Sequence, residues 1–272
     1  MRIALTQMDI VWEDKAKNRV ICEILVEKAA AQNAEIIIFP EMTLTGFTMK
    51  PEIFGEEQHG ETEKFFQTLS DYYGIAIVFG CIEKRKDNFF NVLEMTAGKN
   101  TLMKYAKIHP FSYGEESRHY GKGEKIVSAC YKGTYLGGFI CYDLRFPEVF
   151  QISSGKNQIL FVIANWPESR VDHWRTLLKA RAIENQCFMI GVNRTGEGNG
   201  LFYPASSMVF DPYGNSIAYV PGAESCGQMR EPELLYADID LGLAEQYRRD
   251  FPVKEDRREE LYKKEIILSN IY

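Results

Sequence analysis

The chain has 272 residues, of which 45% are hydrophobic and 26% charged, and its formal net charge is -6. That length supports a core without disulfide or metal staples, and the scattered Lys and Arg residues argue against a nucleic-acid surface, which needs a concentrated positive patch. The opening Met1-Arg2-Ile3-Ala4-Leu5-Thr6-Gln7-Met8-Asp9 is too short and polar for a signal segment, and no apolar run reaches the length of a membrane span, so a cytoplasmic protein acting on small molecules is expected.

Taken in chain order, residues 2 to 8 read as a strand and residues 15 to 32 as a helix with Val20, Ile21, Ile24, Leu25 and Ala29 along one stripe. Runs rich in Ile, Val and Phe at 35 to 39, 75 to 82, 89 to 96, 134 to 141 and 159 to 164 predict further strands. A second helix is predicted over 172 to 186, carrying Trp174, Leu177, Leu178 and Ala182, followed by strands at 188 to 193, 206 to 210 and 234 to 239. Continuous apolar strands such as Ile36-Ile37-Ile38-Phe39 suggest sheets covered on both faces, whereas 75 to 107 looks like a meander. The class is therefore α/β, in one domain spanning 1 to 272 with a C-terminal extension from about 250 to 272. The charged run from 254 to 265 reads as a solvated helix or tail.

Six cysteines, Cys22, Cys81, Cys130, Cys141, Cys187 and Cys226, lie far apart, with no Cys-x-x-Cys pair and no His at ligand spacing. Neither a zinc site nor a disulfide framework is indicated, no Gly-rich phosphate loop is present, and neither metal nor organic cofactor is expected. Most of these cysteines read as buried thiols.

Three polar residues fall at the ends of strand-like runs, where layered α and β proteins build their sites. Glu41 follows Ile-Ile-Ile-Phe-Pro, although by position alone it reads equally as a surface turn acid. Lys107 closes Thr101-Leu102-Met103-Lys104-Tyr105-Ala106 among apolar neighbours, and alone it is an ordinary amphipathic lysine. Cys141 closes Leu136-Gly137-Gly138-Phe139-Ile140 and precedes Tyr142-Asp143-Leu144-Arg145-Phe146-Pro147-Glu148, a strand turning sharply into a helix. Such an elbow exposes a nucleophile and offers the next backbone N–H to an oxyanion, yet a lone cysteine is commonly buried and inert.

Together these residues carry a stronger signal. Phe39-Pro40-Glu41, Lys107-Ile108-His109-Pro110-Phe111 and Gly138-Phe139-Ile140-Cys141-Tyr142-Asp143-Leu144-Arg145-Phe146-Pro147, in this order, resemble the motifs of the nitrilase superfamily of carbon-nitrogen hydrolases. The resemblance extends to Ile3-Ala4-Leu5-Thr6-Gln7, to the segment from His173 to Gln186, and to Asp211-Pro212-Tyr213-Gly214. One departure is Pro110, where relatives usually have Leu. Cys followed by Tyr-Asp is similar to the amidase branches, since true nitrilases usually carry Trp-Glu there. The segments Glu41 to Phe47, Gly114-Glu115-Glu116 with His119-Tyr120, and Ala164-Asn165-Trp166-Pro167 resemble bacterial 2-oxo acid ω-amidases.

The resemblance implies a four-layer α-β-β-α sandwich that pairs through its outer helices, hence a homodimer. It also implies an amidase that works through a cysteine thioester. A thiol needs a proton acceptor to become a nucleophile, which suits Glu41, while Lys107 and the backbone N–H of Tyr142 suit the oxyanion. Glu116 is implied as a fourth participant orienting Lys107 or the substrate, with Glu115 as the neighbouring alternative. Phe47 and Trp166 are candidate pocket walls, though Trp166 also reads as core, and Arg118, Arg170 and His173 are candidates to meet a substrate carboxylate. His59, His109, His119 and His173 sit in four different contexts, so a Cys and His dyad is disfavoured, and Arg145 with Glu148 reads as an ion pair at a helix start. The expected substrate is a short 2-oxo dicarboxylic monoamide such as 2-oxoglutaramate. The alternatives are another small acid amide, such as deaminated glutathione or a carbamoyl compound, and a non-catalytic binding member of the fold.

Overall fold

The computed structural model of the chain describes residues 1–219 and 233–262. Alternation within short buried strands decides how its layers stack. Ile36 and Ile38 join one apolar cluster, whereas Ile37 and Phe39 join another, as successive side chains of a strand must point to opposite faces. The same split separates Ala76 and Val78 from Ile77 and Phe79. The first cluster lies between two sheets, and the second between a sheet and its covering helices.

The first sheet runs Glu233–Asp238, Arg2–Gln7, Ile36–Ile38, Ala76–Arg85, Asn88–Ala97 and Asn100–Ala106, with Glu56–Glu57 pairing beside Ala76–Arg85. The second runs Ser216–Tyr219, Met208–Phe210, Phe188–Asn193, Ile159–Ala164, Thr134–Ile140 and Ser128–Tyr131. Each has parallel strands at its centre and antiparallel strands toward its edges. The helices Lys15–Ala31 and Glu61–Tyr73 cover the first sheet, and Pro147–Ser153 and Val171–Asn185 cover the second, giving the four-layer α-β-β-α sandwich that the resemblance implied. Among the described residues no helix is long and apolar enough to cross a membrane.

Three expectations need correction. In the helix Lys15–Ala31 the inward residues are Asn18, Cys22, Leu25, Val26 and Ala29, whereas Val20 is 59% and Ile24 41% exposed. The helix is rolled because Asn18 bonds inward: its Nδ2 donates to the carbonyls of Val11 at 2.7 Å and Leu44 at 2.8 Å, and its Oδ1 accepts from the Val11 N–H. Of the described cysteines only Cys22 and Cys187 are fully buried; Cys81 and Cys141 are half-buried, and Cys130 is exposed on the edge strand Ser128–Tyr131. Cys226 lies outside the described residues, as does the part of the C-terminal extension beyond residue 262. Arg145 and Glu148 form no ion pair, because Arg145 lies in a separate helical turn, Cys141–Arg145, and reaches instead toward Trp166 and His173.

Candidate active site

Three chain segments bring their polar residues to one place. Glu41 lies just beyond the strand Ile36–Ile38, on a turn that presses against the strand Ala76–Arg85 at Gly80. A Cβ at residue 80 would sit 2.3 Å from the Met42 nitrogen, so only glycine lets the turn come this close. Thr43 fixes the approach, exchanging bonds with the Gly80 backbone at 2.9 and 3.0 Å. Lys107 follows the strand Asn100–Ala106, its N–H donating to the Asn91 carbonyl. Cys141 directly follows the strand Thr134–Ile140 with a φ of +46°, a left-handed conformation costly for a residue with a Cβ and one that turns its side chain out of the sheet.

At the centre Lys107 Nζ lies 2.9 Å from Glu41 Oε1 and 2.8 Å from Glu116 Oε2, with all three side chains sealed from solvent. Burial alone would push the Lys107 ammonium down, but the carboxylates of Glu116 and Glu41 reverse this and hold it well above the ordinary lysine range. Glu116 is shifted upward by burial and by Glu41, against the pull of Lys107. The Cys141 thiol is raised by burial and by the Glu41 carboxylate, again opposed by Lys107. A cation with two carboxylates thus faces a thiol whose protonated form is favoured by burial and by Glu41.

Two further groups organise this cluster. Asn91 Nδ2 donates to Glu41 Oε1 at 2.8 Å and to Glu116 Oε1 at 2.9 Å, separating the carboxylates. The Asn165 N–H donates to Glu41 Oε2 at 2.9 Å, and the Asn165 carbonyl lies 4.0 Å from Cys141 Sγ. Asp143 joins the segments: it accepts from the Tyr105 hydroxyl at 2.7 Å, from the His109 N–H at 3.0 Å and from the Ile140 N–H at 3.2 Å. His109 also bonds Asp143 through Nδ1 and stacks on Phe146, which accounts for it without a thiol partner.

Beside Cys141 opens a cavity of about 460 Å³, mouth included, lined among others by Phe47, Phe111, Tyr142, Trp166, Arg170 and Tyr203. Phe47 sits under the Lys107 ammonium, 5.2 Å from ring centroid to nitrogen. Trp166 is both wall and core, since it is buried against Trp174 while its Nε1 donates to the Arg170 carbonyl. Of the candidate carboxylate partners only Arg170 lines the cavity. Arg118 is a solvent-exposed residue paired with Glu115, and His173 accepts from Arg145 at 3.2 Å outside the lining. Glu115 is likewise turned outward, leaving Glu116 as the buried member of that pair.

The carbon-nitrogen hydrolase family description matches residues 2–249. The chain belongs to that family. The 2-oxoglutaramate amidase of Bacillus subtilis is 31% identical over 96% of this chain and 98% of its own length. The "hydrolase in agr operon" of Staphylococcus aureus is 30% identical over 97% of this chain and all of its own. A CN-hydrolase superfamily protein from Xanthomonas campestris, solved with an arsenic adduct in its active site, superposes with a TM-score of 0.86 at 30% identity and covers 99% of both chains. Family and relatives place the chain among hydrolases of amide carbon–nitrogen bonds.

Several residues of this carbon-nitrogen hydrolase site escaped the sequence reading. Asn91 was visible as a lone amide inside the apolar run Phe89-Phe90-Asn91-Val92-Leu93, a pattern that predicts a buried polar contact. Asp143 lay within a motif already singled out, without a role of its own. Arg145, which lines the cavity and lies 4.9 Å from the Trp166 ring centroid, was taken up by the expected pair with Glu148. Tyr203 gave no local signal, since its cavity contact arises from the hairpin formed by Gly196–Gly198 and Leu201–Tyr203.

Proposed function

We propose that this hydrolase is an ω-amidase that releases ammonia from a short 2-oxo dicarboxylic monoamide, with 2-oxoglutaramate as the reference substrate, through a thioester on Cys141. The carrying observation is a strained, cavity-facing thiol beside a buried Glu41, Lys107 and Glu116 cluster. Glu41 takes the Sγ proton as sulfur attacks the amide carbonyl. The oxyanion is met by the Lys107 ammonium and the Tyr142 N–H, and loss of one such donor typically costs on the order of a hundredfold to a thousandfold in rate. Glu41 then delivers its proton to the leaving nitrogen and ammonia departs. Water, deprotonated by Glu41, attacks the thioester; the acid leaves and the thiol regains its proton.

The raised Cys141 thiol fits deprotonation during attack rather than a standing thiolate, which is the work of a general base. Glu116 holds Lys107 in position, and its own carboxylate accepts the Phe111 N–H at 2.6 Å, tying the cavity wall to the charge cluster. The substrate's distal carboxylate is assigned to Arg170 with Arg145, the two guanidinium groups on the lining, in place of Arg118 and His173. Remote binding of this kind can be expressed as rate. The 2-oxoglutaramate amidase relative supports the acyl group. Ammonia release should show a higher kcat/KM for 2-oxoglutaramate than for simple aliphatic amides or nitriles, and a mass spectrum after brief exposure should show the acyl adduct on Cys141. Equal or greater values for the simple compounds would refute the ω-amidase reading.

A further inference from the structure

Tyr203 is 3% exposed and lines the cavity together with Cys141, and among the described residues its hydroxyl bonds no protein group, although it is not one of the sealed polar atoms that lack a partner. The hydroxyl is thus open to solvent on the cavity side and free to donate to a bound molecule that displaces that solvent. Its position is not slack. Tyr203 pairs with Gly196 across the hairpin, and the fully buried Arg194 lies behind the ring, 4.7 Å from its centroid. Arg194 is itself fixed through Nη2, which donates to the carbonyls of Ile10 at 3.0 Å and Glu197 at 2.8 Å, and through an ion pair with Asp9 at 3.3 Å. A rigid scaffold therefore presents an unspent donor to the space where the acyl chain must lie.

We infer that the Tyr203 hydroxyl is a specificity-determining group that donates a hydrogen bond to the 2-oxo oxygen of the bound substrate. The division of chemistry along the lining favours that oxygen. Arg145 and Arg170 are permanent cations and suit the carboxylate, whereas a phenol is a neutral donor suited to a neutral carbonyl. Burial pushes the Tyr203 phenol up to about 12, against the pull of Arg194, so its proton stays in place at any pH at which the enzyme works. A site built to bond an oxygen rejects the analogue lacking it, since its own donor is then stranded.

This inference rests on the ω-amidase reading, and the two can fail separately. The experiment compares kcat/KM for 2-oxoglutaramate and for glutaramate, which has a methylene in place of the 2-oxo carbon, in the wild type and in Tyr203→Phe. Phenylalanine keeps the ring against Arg194, and its melting temperature checks that the hairpin survives. The wild type should prefer the 2-oxo substrate at least about tenfold, and the variant should shrink that ratio about tenfold or more. If the variant lowers both substrates equally, Tyr203 is structural or serves the oxyanion, and the inference falls. If the ratio does not move, it also falls while the ω-amidase reading stands. A wild type without any preference for the 2-oxo substrate overturns both.

Discussion

Two lysines three residues apart each gather carboxylates on the first sheet. Lys107 meets Glu41 and Glu116, while Lys104 meets Glu63, Glu83 and Glu94 at 3.0, 2.8 and 3.2 Å. In both, burial pulls the ammonium down and the carboxylates more than restore it. What differs is the surroundings. The Lys107 side chain is 1% exposed and its cluster borders a cavity with a thiol, whereas Lys104 is 20% exposed and ties the helix Glu61–Tyr73 to three strands. Like clusters thus differ in whether a thiol and an open space adjoin the charges, and the proposed mechanism draws on the one that has both.

The sharpest break between the two regions should come at the nucleophile. Cys141→Ala is expected to cut ammonia release by at least about 10⁴-fold, as removal of a covalent nucleophile does elsewhere, with a melting temperature near that of the wild type. Retained turnover would remove the Lys107 region's claim to the chemistry.

The next test exchanges the lysines. Lys107→Met should lower kcat/KM by a hundredfold or more, roughly the loss of an oxyanion donor. Lys104→Met should keep turnover within about threefold but cost roughly 3 kcal/mol in denaturant unfolding, because it strands buried carboxylates. A Lys104→Met protein as stable as the wild type would show that its cluster attaches nothing.

The smallest effect belongs to Glu94, whose carboxyl is raised to about 7 by burial, against the attraction of Lys104. A carboxyl with a folded pKa above its unfolded value stabilises the fold below the unfolded value, and that contribution is lost as pH climbs through about 7. Glu94→Gln should therefore gain stability relative to the wild type between pH 5 and pH 8, by about 1–2 kcal/mol. A difference that stays constant over that interval would mean that Lys104 offsets the burial in full.

Much of this was legible in the sequence, for reasons that particular residues make plain. Strands such as Ile36–Ile38 and Ile159–Ala164 announced themselves because burial on both faces demands continuous apolar residues. Glu41, Lys107 and Cys141 were found because each stands in a distinctive local segment at a strand end. The rolled face of Lys15–Ala31 was missed because a polar residue, Asn18, supplies its inward anchor. Arg118 and Arg170 looked alike as carboxylate partners; only tertiary placement puts one on the surface and the other beside the thiol. Lys104 was passed over because its carboxylates come from three distant segments.

Asp143 has a consequence for how the enzyme comes into being. Its carboxylate, carried by the chain leaving the second sheet, bonds Tyr105 and His109 from the first, so Cys141 and Glu41, the nucleophile and proton acceptor of the proposed mechanism, come together only once the two sheets have closed face to face. A half-assembled chain would hold the Cys141 sulfur apart from the Glu41 carboxylate to which the proposed mechanism assigns its activation. During synthesis or recovery from denaturant, the onset of amide cleavage would then mark the closing of the interior rather than the earlier appearance of strands and helices.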